Sequence, residues 1–571
     1  MDVTRTPSIA EQASNTGTQS NGHSKGLAPF YTPRDVAQIL TDWAVTDANC
    51  LVLDPSYGGC AFLNAAFDTL SKKGSARPEK QIFGVDIDPA AKTYLDALLT
   101  AGASPQQYIC NDFFEVGLEN FGVKSFDAVV GNPPYVRYHS IPEELQQKAE
   151  ARLAQIGISI SGRSSYWAFF LLYSTHLLNP GGRLAMVLPG ALLHTDYSAR
   201  VRELFVSHFE RVNIYLLQER IFDNTQEESI IICAEGAGRQ NRTLRVEYVS
   251  TVEELHKAVT RAQSGEGTNG DESRDGGLLR ALVDNDVLEL YDELSDGSNT
   301  VRLGKWVDTR IGIVTGNNDF FILSREELRE TGIPEKYFIP VLRRPAYVSG
   351  LVATDRSLKI LSREGKPYLL LNPPDNLSRA PKSLRKYIEQ GEKKGVHLAW
   401  KCKSRDPWYV VPHTYVPEAI IPCMAATWAR LMVNRSSYTC TNNIIRLSWK
   451  EKRPSNDWTR LALGTLSTFC QLSAELVGRS YGGGVLKLEP SELTRLVVPL
   501  VPIEVTRVLA QKVHSLLREG DVTAATNAVD AALAFSDKRL SGGNLKMLRA
   551  ERNKFFLRRR QHRNDAKGVA S

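Results

Sequence analysis

Apolar residues in the first half of the chain alternate between short continuous runs and longer stretches with helical spacing. The continuous runs predict buried β-strands, and the spaced stretches predict helices that pack on them. We predict strands at residues 50–53, 81–85, 108–110 and 125–130, and helices at residues 35–44, 61–70 and 89–99. Strands that alternate with helices of this length form parallel βαβ units. The pattern therefore predicts an α/β, Rossmann-like doubly wound sheet with its ligands at the carboxyl ends of the strands.

The second half of the chain has a different pattern. Residues 264–277 contain no apolar side chain and many glycines and acidic residues, which is typical of a linker or surface loop. Beyond them, short β-rich runs and turns lack a regular alternation with helices, so we expect a second, α+β domain. The predicted division is a flexible tail at 1–25, a cofactor-type domain at 26–263, the linker at 264–277, the α+β domain at 278–517 and a helical basic segment at 518–571.

Composition allows more than one buried core. The chain has 571 residues with 42% hydrophobic content, which suits about two to four domains of ordinary size. Its 70 Lys and Arg residues against 64 Asp and Glu residues give a formal charge of only +6, so charge alone requires no polyanionic partner. Positive charge is concentrated in residues 538–563, which include Arg558-Arg559-Arg560. That segment is either a source of non-specific phosphate attraction or a disordered end without a specific role.

Cysteine usage and the N-terminal composition limit the possible compartments. The eight cysteines form no CxxC pair and have no metal-ligand spacing to histidine, so we expect a reducing compartment and no bound metal. Residues 1–25 are polar and lack the apolar stretch of a signal peptide, and no later run is long enough to span a bilayer. These features predict a soluble, cytoplasmic protein.

A glycine-rich turn and three carboxylates follow the first three predicted strands. Asp54 opens the turn that contains Gly58, and the backbone N–H groups of such a turn can approach a ligand closely. Asp86 ends the second strand, where folds of this type bind ribose hydroxyls. Asp112 follows the third strand, where it can accept from an adenine amine. The alternative is a generic βα turn, in which Asp88 caps a helix and Asp112 is a turn residue.

The sequence Asn132-Pro133-Pro134-Tyr135 follows directly after the fourth predicted strand. Its two prolines fix φ and remove N–H donors, so the loop is stiff. An aromatic exocyclic amine attacks a methyl sulfonium poorly, because its lone pair is delocalised, and acceptors on both amine hydrogens promote a more tetrahedral nitrogen. The Asn132 side-chain oxygen and the Pro133 carbonyl can be those acceptors, and Tyr135 can stack on a base rotated out of a duplex. The alternative is an ordinary tight turn, since all four residues favour turns.

In this order, the motifs resemble those of class I S-adenosylmethionine-dependent adenine-N6 DNA methyltransferases of the gamma arrangement, which include the Eco57I-like and TaqI-like restriction–modification methylases. The resemblance implies that residues 26–263 form the methyltransferase domain, that residues 132–135 are catalytic, and that a target adenine is flipped out of DNA. It implies S-adenosyl-L-methionine as the cofactor. The implied cofactor-binding positions are Thr32, Asp54, Pro55 and Gly58 for the methionine part, Asp86 for the ribose, Ile87 for the adenine face, and Asp112 with Phe113 for the adenine.

The resemblance continues through the rest of the chain, with one departure. Phe222 resembles a second aromatic residue that stacks on the flipped base, and residues 278–517 resemble a DNA target-recognition domain. Such a domain must neutralise phosphates and offer polar groups to base edges, and this half supplies both among aromatic residues. The departure lies in the turn, which reads Asp-Pro-Ala-Cys-Gly-Ser-Gly in many relatives. Here Tyr57 replaces the cysteine, and Gly59-Cys60 replaces Ser-Gly.

Three alternatives share parts of this pattern. Glutamine-modifying release-factor methyltransferases and some ribosomal RNA guanine methyltransferases carry an Asn-Pro-Pro-aromatic loop, but they are compact, whereas residues 264–571 follow the catalytic domain here. A non-catalytic DNA-binding relative is a second alternative, for which the altered glycine turn is the only hint. A fused nuclease is the third, since Pro374-Asp375 followed by Glu392-Lys393-Lys394 superficially matches a metal-dependent nuclease pattern.

The family resemblance also carries expectations about biology. Double-stranded DNA is the expected partner, together with a separate restriction endonuclease if one exists. We expect a monomer in the bacterial cytoplasm that modifies DNA within a restriction–modification or related defence system, or as a solitary methylase.

Overall fold

The computed structural model describes residues 32–136, 138–160, 164–194, 196–217, 229–239, 243–263, 278–481 and 484–564. The chain forms two compact units, Met1–Leu282 and Val283–Ser571. Within the described ranges, every helix is too short or too polar to cross a bilayer. The predicted tail at 1–25 and linker at 264–277 lie outside the described residues.

The first unit is built on one sheet of eight strands. The strands are β1 (Val52–Asp54), β2 (Ile82–Asp86), β3 (Tyr108–Cys110), β4 (Phe126–Gly131), β5 (Leu178–Pro189), β6 (Arg211–Leu217), β7 (Ser229–Glu235) and β8 (Thr243–Val249). Their order is β3-β2-β1-β4-β5-β7-β6-β8. The chain starts at β1, moves outward through β2 and β3, and returns to β4 on the other side of β1. The strand order therefore reverses between β1 and β4, which is where open α/β sheets bind ligands.

The predicted parallel α/β sheet is confirmed for β1 to β5, which all pair in parallel. The exception is β7, which runs antiparallel to both β5 and β6. β1 is buried at each of its three residues, and β2 and β4 are buried at all but one residue each. Burial on both faces explains why these strands read as continuous apolar runs rather than as alternating ones.

Helices connect the strands of this sheet. They are Arg34–Ala44, Ala61–Lys72, Asp96–Thr100, Leu118–Phe121, Glu143–Gln155, Tyr166–His176, Ala191–His194, Asp196–His208 and Val252–Gln263. The first of them buries Val36, Leu40 and Trp43, which recur at the spacing of one helical face.

One predicted helix in this unit is wrong, and one observed helix was not predicted. The helix predicted at 89–99 is instead a 3₁₀ turn, Pro89–Tyr94, followed by the short helix Asp96–Thr100. The Leu95 N–H donates to the Lys92 carbonyl three residues back, and this tighter bond breaks the α-helical ladder. The sequence analysis also missed the helix Tyr166–His176, in which ten successive residues are buried. A helix buried all round has no polar face, so periodicity cannot indicate it.

The second unit is α+β, as predicted. Its strands are β9 (Thr300–Arg302), β10 (Val307–Ile311), β11 (Ile322–Leu323), β12 (Phe338–Leu342), β13 (Val352–Thr354), β14 (Leu369–Leu371), β15 (Ala419–Pro422), β16 (Met424–Ala425), β17 (Met432–Arg435), β18 (Thr439–Cys440), β19 (Ile444–Trp449), β20 (Arg479–Tyr481), β21 (Val485–Lys487) and β22 (Val497–Pro499). They form sheets of five, four, three and two strands, the largest in the order β10-β19-β15-β17-β13.

Helices separate and follow these small sheets. They are Asn285–Ser295, Leu303–Trp306, Asn318–Phe321, Arg325–Thr331, Asp355–Arg363, Lys382–Lys393, Trp400–Lys403, Ser455–Gly464, Thr468–Val477, Pro490–Arg495, Ile503–Arg518, Val522–Ser536 and Gly542–Asn564. The last two lie in the segment predicted to be helical, and the 3₁₀ turn Lys538–Leu540 separates them.

The basic C-terminal segment is partly an anchor. Arg559 is 2% exposed and packs in the second unit. Its Nε and Nη2 atoms donate to the Glu475 carboxylate at 3.0–3.1 Å, and its Nη1 atom donates to the Ala426 carbonyl at 3.1 Å. Arg558 is also buried. The idea that this arginine run is a solvent-exposed phosphate-binding arm is therefore wrong for Arg558 and Arg559.

Candidate active site

Four predicted polar residues lie at the same edge of the first sheet. Asp54 and Asp86 are the last residues of β1 and β2, Asp112 follows β3 by two positions, and Asn132 follows β4 directly. The four strands are neighbours in the order β3-β2-β1-β4. Because parallel strands end at one edge, the sheet brings these side chains together.

The glycine turn after β1 is fastened to both neighbouring carboxylates. Asp86 Oδ2 accepts from the Gly58 N–H at 2.8 Å, and Asp86 Oδ1 accepts from the Asp88 N–H at the same distance. Asp54 Oδ1 accepts from the Ser56 N–H at 3.0 Å. Asp86 therefore has a structural role in the turn as well as its predicted ligand role.

The residues that depart from the family's turn are accommodated by their local surroundings. Cys60 stands where relatives have glycine, and it adopts φ of 62°, a left-handed conformation that costs a residue with a Cβ roughly 1–2 kcal/mol. Tyr57 is 3% exposed and meets Tyr108 edge-on at 6.2 Å. A Cβ at Gly84 would lie 2.7 Å from the Tyr57 ring. The larger Tyr57 therefore fits because Gly84 leaves it room.

Burial dominates the electrostatics of this edge. Burial raises the pKa of Asp54 to about 8, against the hydrogen bond from Ser56 and with help from the nearby Asp86 charge. Burial also raises the pKa of Asp86 and of Asp112, although backbone hydrogen bonds to each carboxylate oppose the shift. Each of the three carboxylates is thus less stable as an anion than in water, so a cationic or hydrogen-bond-donating ligand would stabilise the ionised forms.

Asp112 combines one satisfied and one unsatisfied oxygen. Its Oδ1 accepts from the Phe114 N–H at 3.1 Å, and the Tyr166 hydroxyl lies 3.5 Å from the same atom. Its Oδ2 is buried and has no hydrogen-bond partner among the described residues. A buried carboxylate oxygen without a donor is unfavourable, so this atom suits a ligand that brings an N–H group.

The Asn-Pro-Pro-Tyr loop is tied down on both sides. The Ser56 hydroxyl donates to the Asn132 carbonyl at 3.1 Å, which joins the loop to the glycine turn. Val136, just past the loop, accepts from the Tyr166 N–H at 3.0 Å. A Cβ at Gly131 would lie 2.9 Å from Asp54 Oδ1, so the residue before the loop must be glycine for Asp54 to keep its place. Together, these contacts hold the loop beside the turn.

The remaining predicted site residues differ in how deeply they are buried. Thr32 is buried directly before the helix Arg34–Ala44, and Ile87 is 48% exposed. Phe113 is 2% exposed, and its ring stacks on Phe170 at 5.0 Å, so it supports the site from the core. Pro133 is buried, while Asn132, Pro134 and Tyr135 are half-buried. Phe222 lies outside the described residues.

Sequence reasoning missed three residues that shape the site. Ser56 links the turn to the loop, Gly131 makes room for Asp54, and Tyr166 approaches Asp112. The position of Gly131 directly before the loop was a usable signal. Ser56 lies inside a motif already recognised, whereas Tyr166 gave no signal because it is 54 residues from Asp112 in the chain.

The described residues offer no metal site of the kind that the nuclease alternative requires. Glu392 Oε1 accepts from the Trp408 indole N–H at 3.0 Å, and the Asp375 carbonyl accepts from the Tyr409 hydroxyl at 2.6 Å. No group of three or more His, Cys, Asp or Glu side chains in the described ranges is arranged to hold a metal ion.

Comparison with known protein families agrees with this site. Residues 10–262 match the N-6 DNA methylase family model, and residues 277–534 match the model for the C-terminal domain of the type II methyltransferase M.Eco57I. The chain therefore combines an N-6 DNA methylase domain with a C-terminal domain of the M.Eco57I kind. Its family match contains the whole edge of the sheet described above, from Asp54 to Tyr135.

Relatives of this chain include two type II methyltransferases. M.AccI of Acinetobacter calcoaceticus is 23% identical over 83% of this chain and 85% of its own length. M.XamI of Xanthomonas campestris pv. amaranthicola is 23% identical over 82% of this chain and 84% of its own length. Both alignments extend through most of the chain, so the similarity is not confined to the catalytic half.

A solved structure has the same fold. The type IIL restriction–modification enzyme MmeI, determined in complex with DNA, matches 92% of this chain and 75% of its own chain, with a TM-score of 0.57 and 11% identity. At this identity, the match concerns the fold alone.

Proposed function

We propose that this protein transfers a methyl group to the exocyclic N6 amine of an adenine flipped out of duplex DNA. The observation that carries the proposal is the meeting of Asp112, with its unpartnered oxygen, and the anchored Asn132 loop at one edge of the sheet. The Asp112 carboxylate suits the adenine of a cofactor, and the Asn132 loop suits the target amine.

S-adenosyl-L-methionine is the proposed cofactor, and when bound it supplies an electrophilic methyl group on a sulfonium. Its cationic methionine part suits the edge where Asp54 and Gly58 lie, because burial disfavours the Asp54 anion without a nearby cation. Thr32 and Pro55 are proposed to complete that part of the site by family resemblance. Asp86 would accept from the ribose hydroxyls.

The adenine of the cofactor would lie between the second and third strand ends. Ile87 is a large apolar side chain that is half exposed there, so its side chain can cover one face of the ring. Asp112 Oδ2 would accept from the adenine amine, since it has no donor among the described residues. Phe113 would hold Asp112 in place through its stacking on Phe170.

The loop residues would act on the target base. The Asn132 side-chain oxygen and the Pro133 carbonyl would each accept one hydrogen of the target amine, so its lone pair becomes available for attack on the methyl carbon. The bond from that carbon to sulfur would break as the N–C bond forms, and a neutral thioether would leave. The amine then loses one proton to solvent after transfer. Tyr135 would stack on the flipped base, and Phe222 is the proposed second aromatic on the basis of resemblance alone. Pro134 keeps the loop stiff.

The second unit is the proposed DNA target-recognition domain, and duplex DNA is the proposed partner. A separate restriction endonuclease would share the recognition sequence if the protein belongs to a restriction–modification system. We further propose a monomer that works in the bacterial cytoplasm.

The test is the transfer of labelled methyl groups to duplex DNA by the wild type and by Asn132→Ala. We expect a loss of transfer of at least 100-fold, consistent with the loss of a polar group that acts in the transition state, with an unchanged affinity for the cofactor in calorimetry. Asn299→Ala, at an exposed site in the second unit, is the matched control. Mass analysis of the digested DNA should find N6-methyladenine; methylcytosine, or transfer that survives in Asn132→Ala, would refute the proposal.

A further inference from the structure

A basic loop in the second unit holds two large apolar side chains in solvent. We define the basic loop as residues 393–405, which include the short helix Trp400–Lys403. These residues contain five Lys and Arg residues and no Asp or Glu, and Glu392 and Asp406 flank them. Trp400 is 72% exposed and Leu398 is 66% exposed. The Lys401 Nζ atom lies 4.2 Å from the centre of the Trp400 ring. The loop therefore presents apolar surface within a cationic surrounding.

The lysines of the basic loop have no anionic partner in the described structure. Lys393, Lys394, Lys401 and Lys403 are all exposed. None of these four lysines forms an ion pair with a described residue, and they lie within eleven residues of one another in the chain. Four ammonium groups without local neutralisation favour an external polyanion.

The base of the loop is fixed to the turn that follows β10. Arg405 donates to the Thr315 carbonyl at 2.9 Å and also to the Val314 carbonyl. Cys402 is fully buried, and its thiol donates to the Thr315 carbonyl at 3.5 Å. Gly316 has φ of 89°, and a Cβ there would lie 2.8 Å from the Cys402 sulfur. The loop is thus held against a turn that only glycine allows.

Two buried residues lie on either side of the exposed pair in the basic loop. Val396 and Cys402 are buried in the core of the second unit, while Leu398 and Trp400 point away from it. The Trp408 indole, directly beyond the loop, donates to Glu392 directly before it at 3.0 Å. Both ends of the loop are therefore joined, and the backbone itself keeps Trp400 and Leu398 exposed.

We propose that the basic loop binds duplex DNA, with its lysines on phosphates and with Trp400 and Leu398 packed against the sugar and base surfaces of a groove. The proposal rests on the proposed function in taking DNA as the substrate. Lysines that neutralise phosphates release condensed counterions, and DNA-binding proteins insert apolar side chains beside bases. Duplex DNA is the occupant that uses both features, since phosphates suit the four lysines and a groove suits the apolar pair.

The test measures the binding of the full-length protein to a fluorescein-labelled duplex of mixed sequence by fluorescence anisotropy. Because burial of a large apolar side chain in the groove is favourable, its loss in Trp400→Ala should weaken binding roughly 10-fold to 100-fold. The double variant Lys401→Gln/Lys403→Gln should reduce the slope of log affinity against log salt by about 1.8, because each lost phosphate contact removes about 0.9.

Matched controls come from the same chain. Phe535 is 82% exposed on another helix of the second unit, so Phe535→Ala removes comparable exposed apolar surface outside the loop. Lys72→Gln/Lys73→Gln removes two adjacent exposed charges in the first unit. Both controls should bind the duplex with wild-type affinity. Acetylation of lysines in the wild type, with and without the duplex, tests the surface without any substitution, and the four loop lysines should be protected.

The outcomes separate this inference from the proposed function. Wild-type affinity in Trp400→Ala and in the double lysine variant would overturn the role of the loop, as would unprotected loop lysines, even if adenine methylation proceeds. An effect of Trp400→Ala on single-stranded DNA alone would also overturn it. Conversely, loop-dependent duplex binding without adenine methylation would support the loop and refute the proposed function.

Discussion

Removal of one partner from the buried ion pair between Arg559 and Glu475 should destabilise the second unit strongly, because the other charge stays buried. Their side chains are 2% and 5% exposed, and Arg559 also donates to the carbonyls of Ala426 and Gly484. Glu475→Gln keeps the size of the side chain but leaves the guanidinium charge buried without a carboxylate. Removal of one partner of such a pair costs about 3–5 kcal/mol of unfolding free energy.

The double variant Arg559→Met/Glu475→Leu removes both charges, so it shows how much of the loss in Glu475→Gln comes from the unpaired charge. Replacement of a whole buried pair by apolar residues is neutral or stabilising in favourable cases. Here the carbonyls of Ala426 and Gly484 would lose their donor, and each unsatisfied group costs about 1–3 kcal/mol. We therefore expect the double variant to recover only part of the loss caused by Glu475→Gln.

Urea unfolding followed by tryptophan fluorescence is a suitable assay. Trp43 and Trp167 lie in the first unit, so the other six of the eight tryptophans report on the second. A loss of about 4 kcal/mol should lower the urea midpoint of the second unit by roughly 1 M or more. Glu335→Gln is the control, because its exposed pair with Arg325 should contribute less than about 1 kcal/mol. A Glu475→Gln midpoint equal to that of this control would refute the reasoning.

Three further predictions concern the first unit. Gly131→Ala should lower the methyl-transfer rate, because its Cβ would lie 2.9 Å from Asp54 Oδ1. Gly543→Ala is the control, since its Cβ would lie in open space and should leave the rate unchanged. Equal rates for the two variants would contradict this account. Ser56→Ala removes the hydrogen bond to Asn132 and should slow transfer roughly 2-fold to 10-fold with cofactor affinity unchanged; a wild-type rate would show that this bond does not position the loop. Folding raises the pKa of Asp54 from 3.8 to about 8, so the folded state holds this proton more tightly and the unfolding free energy falls as pH rises between those values. Asp54→Asn should flatten that slope in urea titrations at several pH values, and an unchanged slope would rule out Asp54 as its source.

The order of apolar and polar residues along the chain was enough to predict the strands that carry the candidate site. The strands β1, β2 and β4 are almost entirely buried, so each appears as an apolar run, and the polar residue that follows the apolar residues lies at the strand end. Asp54, Asp86, Asp112 and Asn132 could therefore be placed at one edge before any contact was known. Such predictions need only residues that are neighbours in the chain.

Patterns failed where local chemistry or burial overrode periodicity. The stretch that begins at Pro89 has helical spacing, but it forms a 3₁₀ turn that ends at Tyr94 instead of an α-helix. The helix Tyr166–His176 has no polar face because the core surrounds it. In both cases, the deciding interactions are absent from the pattern of apolar positions.

The charge of Arg559 shows the same limit more clearly. In the sequence, it belongs to a basic run that resembles a solvated arm, and its partner Glu475 is 84 residues away. Likewise, Ser56 and Asn132 are 76 residues apart, and their hydrogen bond exists because β1 and β4 are adjacent in the sheet. The sequence by itself determined the sheet, the order of the motifs and the family. The tertiary structure decided which groups are buried, paired or left without a partner, because those properties depend on residues that only folding brings together.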